Sequence, residues 1–218
     1  MAERPFVIAY HLVWTAYGTW LPNDPRGSGS HAVASHALAE LGPLHYGRRK
    51  KQPARQIVGD FYRRAEPLLI HPVMRFAEEH IAIAGEALAE VVSAETYTCY
   101  GCAILPDHVH VIVRKHKHKA EEMIDRLQVS SRLRLSRFLA PNHPVWTLGG
   151  WKSFLSSPDA VRSAVRYVEH NPIKARLAPQ RWPFVRSYDN WPNHADSKSN
   201  PTSACRLSID NEAGSSQH

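Results

Sequence analysis

Residues 96–114, TYTCYGCAILPDHVHVIVR, give the strongest indication of the fold class of this chain. Residues 96–105 and 108–114 are both rich in β-branched, aromatic and other apolar residues, and each segment predicts a strand. Pro106 and Asp107 lie between them and favour a tight turn. The two strands should therefore form a β-hairpin.

Hydrophobic periodicity predicts the elements on either side of this hairpin. They are a strand at 6–15, helices at 72–92 and 120–139, a short strand-and-loop region at 144–154, and a helix from Ser157 to about His170. Pro72 suits the first turn of the earlier helix, and Ser157 is a capping residue followed by a proline. Because Pro172 disfavours helical geometry in the residue before it, we expect the last helix to end near Asn171, with a short helical turn at 173–177.

The order strand, helix, strand, strand, helix, strand matches a ferredoxin-like split βαβ sandwich, with an additional C-terminal helix. The predicted fold class is therefore α+β. In this fold the first and third strands form the central pair, so residues 108–114 should lie in the middle of the sheet. We expect a single domain at 1–194, with an irregular insertion at 28–72 that contains a short helix near 56–64, and a disordered tail at 195–218.

Composition narrows the classes of function. The 218 residues carry a net charge of +7, which favours a polyanionic partner such as nucleic acid, although a basic protein without that role remains an alternative. No signal peptide and no membrane-spanning segment is predicted. Three cysteines, an odd and small number, suit a reducing cytoplasm. We interpret Cys99 and Cys102 as structural residues on opposite faces of a strand.

The histidines of the third strand form a candidate metal site. Strand side chains alternate, so His108 and His110 point to one face and can chelate a divalent ion together. The alternative is a chance pair among 14 histidines. A second such pair, His116 and His118, lies between lysines that would repel a metal ion, and we interpret it as part of a basic loop that contacts phosphates.

The C-terminal helix carries a candidate nucleophile. Tyr167 lies at the edge of the apolar helix face, and Asn171 lies one turn later on the same side. Their side chains are expected to reach a common point above the sheet. A phenol has a pKa near 10, so it needs a metal ion or cations nearby to act as a nucleophile. The alternative is a boundary residue whose ring packs on the sheet.

Two motifs resemble those of a known family. Residues 105–113, LPDHVHVIV, resemble the histidine-hydrophobic-histidine motif of single-tyrosine transposases, and residues 167–175, YVEHNPIKA, resemble the tyrosine motif of the same family. The REP-associated tyrosine transposases are the most similar branch, since residues 10–12 and the loop at 17–27 also look like its N-terminal segment. The resemblance covers about residues 4–191 and is weakest in the insertion.

This resemblance implies a mechanism. It implies Mg²⁺ or Mn²⁺ held by His108, His110 and Asn171, although related insertion-sequence enzymes carry glutamine at the position of Asn171. It also implies that Tyr167 cleaves single-stranded DNA near a hairpin, leaving a 5′-phosphotyrosine and a free 3′-OH that can be rejoined without a nucleotide cofactor. Tyr188 would be the next candidate nucleophile. A monomer or homodimer in the prokaryotic cytoplasm, associated with the nucleoid, is expected.

Basic and aromatic residues predict a DNA-binding surface. The candidate cations are Arg48, Arg49, Lys50, Lys51, Lys115, Lys117, Lys119, Arg126, Arg132, Arg134 and Arg137. Four tryptophans are candidates for stacking on unpaired bases, with core packing as the alternative. These are Trp14, Trp20, Trp146 and Trp151.

The leading hypothesis is thus a metal-dependent enzyme that nicks and rejoins single-stranded DNA. One rival is a non-catalytic DNA- or RNA-binding regulator on the same fold. Another is a metal-dependent hydrolase that uses water and forms no phosphotyrosine.

Overall fold

A four-stranded antiparallel sheet organises the protein, whose computed structural model describes residues 6–192. The strands are β1 (Ala9–Thr15), β2 (Cys99–Ile104), β3 (His108–Arg114) and β4 (Trp151–Leu155), in the spatial order β2-β3-β1-β4. This order and the intervening helices are those of a split βαβ sandwich, which confirms the predicted α+β class and the central pair of β1 and β3. The predicted tail at 195–218 lies outside the described residues.

Residues 6–192 contain five α-helices, of which the last three pack on the sheet. They are α1 (His36–Ala39), α2 (Arg55–Ala65), α3 (Glu78–Ala94), α4 (Ala120–Leu135) and α5 (Pro158–Lys174), with short 3-10 helices at Glu66–Leu68 and Ser136–Phe138. None of these helices combines the length and hydrophobicity that a bilayer crossing requires.

The two faces of the sheet have different coverings. One face is apolar and packs against α3 and α4, with Leu12, Trp14 and Val111 at its centre. The other face packs against α5, where Ala9 and Ile112 of the sheet contact a small cluster that includes Val161 and Val168. Strand alternation on β3 therefore separates the two faces as predicted, and the histidines lie on the side of α5.

Helix α3 begins six residues later than the sequence predicts. The prediction placed Pro72 in its first turn, but the helix starts at Glu78. The Met74 amide donates to the Tyr17 carbonyl (2.9 Å) and the Phe76 amide donates to the Pro106 carbonyl (2.8 Å). These long-range bonds hold the preceding segment in a non-helical conformation, although its apolar residues continue the helical spacing.

Helix α5 begins as predicted and ends later than predicted. The Ser157 hydroxyl accepts a hydrogen bond from the Ala160 amide (3.2 Å), which is the expected N-terminal cap. The predicted boundary near Asn171 is wrong, because the helix continues through Pro172 to Lys174 and absorbs the start of the expected turn at 173–177. The Ala175 amide still donates to the Asn171 carbonyl (3.0 Å), so the proline costs the helix one donor without ending it.

The two cysteines of β2 do not lie on opposite faces, so that prediction is wrong. Cys99 pairs with Val113 and Cys102 pairs with Val111, and both thiols belong to the core on the side of α3 and α4. A register shift between Cys99 and Gly101 inserts one extra residue, which restores the same orientation three positions later. Both are buried free cysteines, as expected of structural residues.

The insertion at 28–72 is more regular than predicted. The short helix expected near 56–64 is present as α2, and α1 and a 3-10 turn accompany it. Phe61 and Ala65 of α2 pack with Leu38 of α1 and with Leu21, forming a small separate core. Because Leu21 belongs to the loop after β1, this core ties the insertion to that loop.

The segment after α5 returns along the free edge of β2. The Gln180 side chain accepts a hydrogen bond from the Ile104 amide (2.9 Å) and donates one to the Ile104 carbonyl (2.7 Å). The Arg186 amide donates to the Cys99 carbonyl (2.8 Å). Between these two points, the ring of Trp182 lies directly on Gly85 of α3.

This contact predicts opposite effects for two glycine-to-alanine substitutions in helices. A methyl group at Gly85 would overlap the Trp182 ring, so Gly85→Ala should lower the free energy of unfolding by about 1–3 kcal/mol. At Gly59 in α2 nothing lies within 4 Å of the new methyl group, so Gly59→Ala should raise it by about 0.5–1 kcal/mol. Urea unfolding of both variants measures the difference, and a stabilising Gly85→Ala would contradict the packing of Trp182 on α3.

Candidate active site

A cavity of about 790 Å³ lies on the α5 side of the sheet. Its walls come from β1, β3, β4, α5 and the loop after β1. His108, His110 and Tyr167 all line it. The structure therefore brings together the three residues that the two sequence motifs single out.

Each histidine of the pair has its Nδ1 atom engaged. His108 Nδ1 lies 2.6 Å from the Asp107 Oδ1 atom, and His110 Nδ1 lies 2.9 Å from Nε2 of His11. The centroids of the His108 and His110 rings are 4.7 Å apart. The Nε2 atom of His110 is buried and has no hydrogen-bond partner among residues 6–192, so it fits the place of a ligand to an ion in the cavity.

Burial keeps two of these imidazoles neutral at pH 7. Desolvation, with smaller contributions from His108 and His11, lowers the pKa of His110 to about 2. Desolvation alone lowers the pKa of His11 to about 4. A neutral imidazole has the free lone pair that a metal ion requires.

Asp107 is the charged group next to the pair. Burial acts to raise its pKa, but the hydrogen bond and charge of His108, together with Arg75 at 3.1 Å, hold the pKa below its usual value. Asp107 is therefore ionised at pH 7 and can only accept hydrogen bonds. It follows that His108 donates from Nδ1, which leaves Nε2 as the ring atom that is open to a ligand.

Tyr167 lies next to the histidines and remains accessible. Tyr167 is 47% exposed. Its ring packs edge-on against His110, with centroids 5.6 Å apart, and against His11, with centroids 6.0 Å apart. Lys174 Nζ lies 5.1 Å from the ring centroid. A substrate can thus reach the phenol from the cavity, where a cation lies nearby.

Asn171 has a different environment from Tyr167. It is 8% exposed, and its Nδ2 atom is buried without a partner in the described part of the chain. It does not line the cavity that holds the two histidines. Within residues 6–192 no group of three His, Cys, Asp or Glu side chains is placed to hold a metal ion. The identity of a third ligand therefore stays a prediction.

Most of the predicted DNA-binding cations lie away from the cavity. Arg48 lines it, whereas the described lining does not include its three basic neighbours in the sequence or any of the other predicted cations. The lysines at 115, 117 and 119 follow the C-terminal end of β3, whereas His108 lies at its N-terminal end. The four arginines belong to α4 and the 3-10 helix after it, which lie on the side of the sheet opposite to the cavity. Two of those arginines are paired with α3 or its end, Arg126 with Glu95 (2.6 Å) and Arg134 with Glu90.

The four candidate tryptophans divide into two groups. Trp14 is 1% exposed and Trp146 is 7% exposed, and both belong to the core under α3 and α4, so core packing is the correct alternative for these two. Trp20 and Trp151 line the cavity. Strand alternation explains the core position of Trp14, which shares the apolar face with Leu12.

The loop after β1 supplies an arginine for which no role was predicted, although the resemblance covers this loop. Arg26 lines the cavity, stacks on the Trp20 ring (3.8 Å from its centroid) and makes a bidentate pair with buried Asp24 (2.9 and 2.6 Å). The hydroxyl of Tyr62, in α2, also donates to Asp24. The insertion therefore supports this wall of the cavity from behind.

This network predicts a graded loss of stability. Asp24→Ala leaves Arg26, which is largely buried, without its carboxylate and should lower the free energy of unfolding by about 3 kcal/mol. Tyr62→Phe removes the hydrogen bond that the hydroxyl donates to Asp24 and the two longer ones that it accepts from the Leu21 amide (3.2 Å) and from Arg26 (3.3 Å). It keeps the ion pair and should cost about 1–2 kcal/mol. Chemical denaturation of the two variants gives both values. An Asp24→Ala protein as stable as Tyr62→Phe would mean that the ion pair does not anchor the loop.

Comparisons with known proteins find similarity only at the level of structure. No model of a known protein family matches the chain, and no curated protein sequence does. Among solved structures, a REP-associated tyrosine transposase bound to a REP hairpin is 10% identical, with a TM-score of 0.42, over 84% of this chain and 79% of that chain. A Deinococcus radiodurans protein provisionally called a transposase is 12% identical, with a TM-score of 0.35, over 78% of this chain and 95% of that chain. Both TM-scores are below 0.5, so neither the family nor the activity of this chain follows from them.

Proposed function

We propose that the protein nicks and rejoins single-stranded DNA as single-tyrosine transposases do, with Tyr167 as the nucleophile. The observation that carries this proposal is the shared cavity. In it the accessible ring of Tyr167 lies near that of His110, whose buried Nε2 atom has no partner among the described residues, and His108 lines the same cavity. Phosphoryl transfer needs a nucleophile and a means of neutralising phosphate charge within the same few ångströms.

The residues present fit a divalent ion, and we propose Mg²⁺ or Mn²⁺. His108 and His110 would hold it through their Nε2 atoms, because both Nδ1 atoms are already engaged. Asn171 would have to turn towards the cavity to become the third ligand. Bound there, the ion would polarise the scissile phosphate and offset its negative charge.

The chemical steps then fall to Tyr167 and the DNA. The phenol oxygen attacks the phosphorus and forms a new O–P bond, while the bond from phosphorus to the 3′ oxygen breaks. The phenol proton is lost to solvent, and the leaving 3′ oxygen takes up a proton to become the free 3′-OH. Because one phosphodiester replaces another, the reverse attack by a 3′-OH rejoins the strand without a nucleotide cofactor.

The walls of the cavity suit a single strand better than a duplex. Trp20 and Trp151 offer aromatic rings to unpaired bases, and Arg48 offers a charge to the backbone. The net charge of +7 favours the same class of partner. We propose that the substrate carries a hairpin beside the scissile phosphate. The oligomeric state, monomer or homodimer, stays a prediction. The cytoplasmic, nucleoid-associated location stays a prediction as well.

The proposal is tested with end-labelled oligonucleotides that carry a hairpin and single-stranded flanks, chosen from inverted repeats beside the gene. With Mn²⁺ present, a denaturing gel should show a labelled band that migrates with the protein and a shorter strand that ends in a 3′-OH. Nicking without a protein-bound band would indicate the water-using hydrolase. Hairpin binding without nicking would indicate the non-catalytic regulator.

A further inference from the structure

His11 lies against the proposed metal site, although the two sequence motifs do not include it. It belongs to β1, where His11 and Val13 are two positions apart and so share a face of the sheet. Val13 pairs directly with His110 in β3, so His11 and His110 lie on the same face. Its Nε2 atom lies 2.9 Å from Nδ1 of His110, and the ring centroids are 5.1 Å apart. The contact joins two side chains that are 99 positions apart in the sequence.

The direction of this hydrogen bond determines what His110 presents to the cavity. A neutral imidazole has one N–H and one lone pair, so one ring must donate and the other must accept. If His110 donates from Nδ1, its Nε2 atom keeps a lone pair that can bind a metal ion. If His11 donates from Nε2, the proton of His110 is on its own Nε2 atom, which then cannot bind a metal ion.

Two observations favour donation by His110. His108 has a corresponding arrangement, since its Nδ1 atom donates to the Asp107 carboxylate. The buried Nε2 atom of His110 has no acceptor within the described residues, so an N–H group there would be left without a hydrogen bond. If His108 and His110 each carry a proton on Nδ1 and none on Nε2, the two Nε2 atoms can bind the same ion.

We propose that His11 is a positioning residue that accepts the Nδ1 hydrogen of His110 and thereby fixes the tautomer whose Nε2 lone pair is free to bind the ion. A histidine that binds a metal ion commonly donates its other N–H to a second residue, and the loss of that partner weakens metal binding about 10–100-fold. Here a second imidazole takes the place that a carboxylate or carbonyl usually has. This inference rests on the proposed metal site.

The first test uses the unaltered protein without metal or DNA. Protein labelled with ¹⁵N in its histidines is studied at pH 7 by long-range ¹H–¹⁵N correlation, and His110 is assigned with a His110→Gln variant. The expected spectrum shows His110 protonated at Nδ1 and unprotonated at Nε2. A spectrum in which His110 carries its proton on Nε2 would overturn the inference.

The second test measures Mn²⁺ affinity in matched variants by electron paramagnetic resonance of the free ion. His11→Gln places an amide oxygen near the former Nε2 atom and can still accept, whereas His11→Leu cannot. Mn²⁺ binding should weaken at least about tenfold in His11→Leu and only a few-fold in His11→Gln. Equal losses in the two variants, or none in either, would contradict the proposed role.

Thermal unfolding shows whether the His11→Leu protein is folded. If His11→Leu is unfolded, the His110 tautomer in the unaltered protein and the Mn²⁺ affinity of His11→Gln still test the proposed role of His11. The tests also separate two kinds of failure. The expected His110 tautomer in a protein that binds no Mn²⁺ would support the direction of the hydrogen bond and contradict the proposed metal site.

Discussion

Replacing Tyr167 with phenylalanine is expected to abolish the covalent protein–DNA adduct and to lower the rate of nicking at least about a thousandfold. The substitution removes one oxygen atom. It keeps the ring that contacts His11 and His110 and lies beneath Lys174. Because the ring remains, the affinity for the hairpin should change no more than a few-fold. Gel-shift titration measures the binding, and a denaturing gel measures the adduct.

Tyr188→Phe is the matched control. The Tyr188 hydroxyl donates to the Trp191 carbonyl (2.7 Å), and its ring packs edge-on against Tyr100, outside the cavity. This variant should form the adduct as the unaltered protein does. An adduct that persists in Tyr167→Phe and disappears in Tyr188→Phe would move the nucleophile to the second tyrosine.

The second large effect is expected from the double substitution of His108 and His110 with alanine. Without the two Nε2 atoms that are proposed to hold the ion, the protein should lose Mn²⁺ binding, and nicking should fall at least about a thousandfold because the charge of the scissile phosphate is no longer offset. Calorimetric titration with Mn²⁺ and the oligonucleotide assay measure the two losses separately.

Alanine at both His116 and His118 provides a control with the same spacing in the sequence. These histidines follow the other end of β3, where His118 Nδ1 lies 2.9 Å from the Tyr97 hydroxyl. Mn²⁺ binding should survive in this variant. If instead it is lost here and kept in the first double variant, the metal site has been assigned to the wrong pair.

Local sequence patterns were sufficient for much of the fold. Alternation in β3 and the cap at Ser157 each depend on a few neighbouring residues, and both are present in the structure. The failures have non-local causes. The start of α3 depends on backbone bonds to residues far away in the sequence, and the faces of Cys99 and Cys102 depend on a bulge set by pairing with β3.

The candidate site was predictable to a similar degree. The two motifs indicated His108, His110 and Tyr167 because each motif is short and lies within one element. The resemblance covered His11 without giving it a role, because its contact with His110 depends on the register between β1 and β3, which no short pattern encodes. Arg26 is held at the cavity by Asp24 and by Tyr62 of the insertion, a contact between distant parts of the sequence. The arginines of α4 were assigned to the DNA-binding surface by charge alone, although they lie on the other side of the sheet.

Identifying the residue that carries the DNA tests the central claim most directly. The protein is allowed to react with the hairpin oligonucleotide and Mn²⁺, is digested with nuclease and trypsin, and the peptides are sequenced by mass spectrometry. Cleavage after Arg166 and Lys174 gives the peptide 167–174, which contains a single tyrosine. We predict a 5′-linked nucleotide on Tyr167 in that peptide. A free 5′-phosphate with no modified peptide, or a nucleotide on another residue, would contradict the assignment.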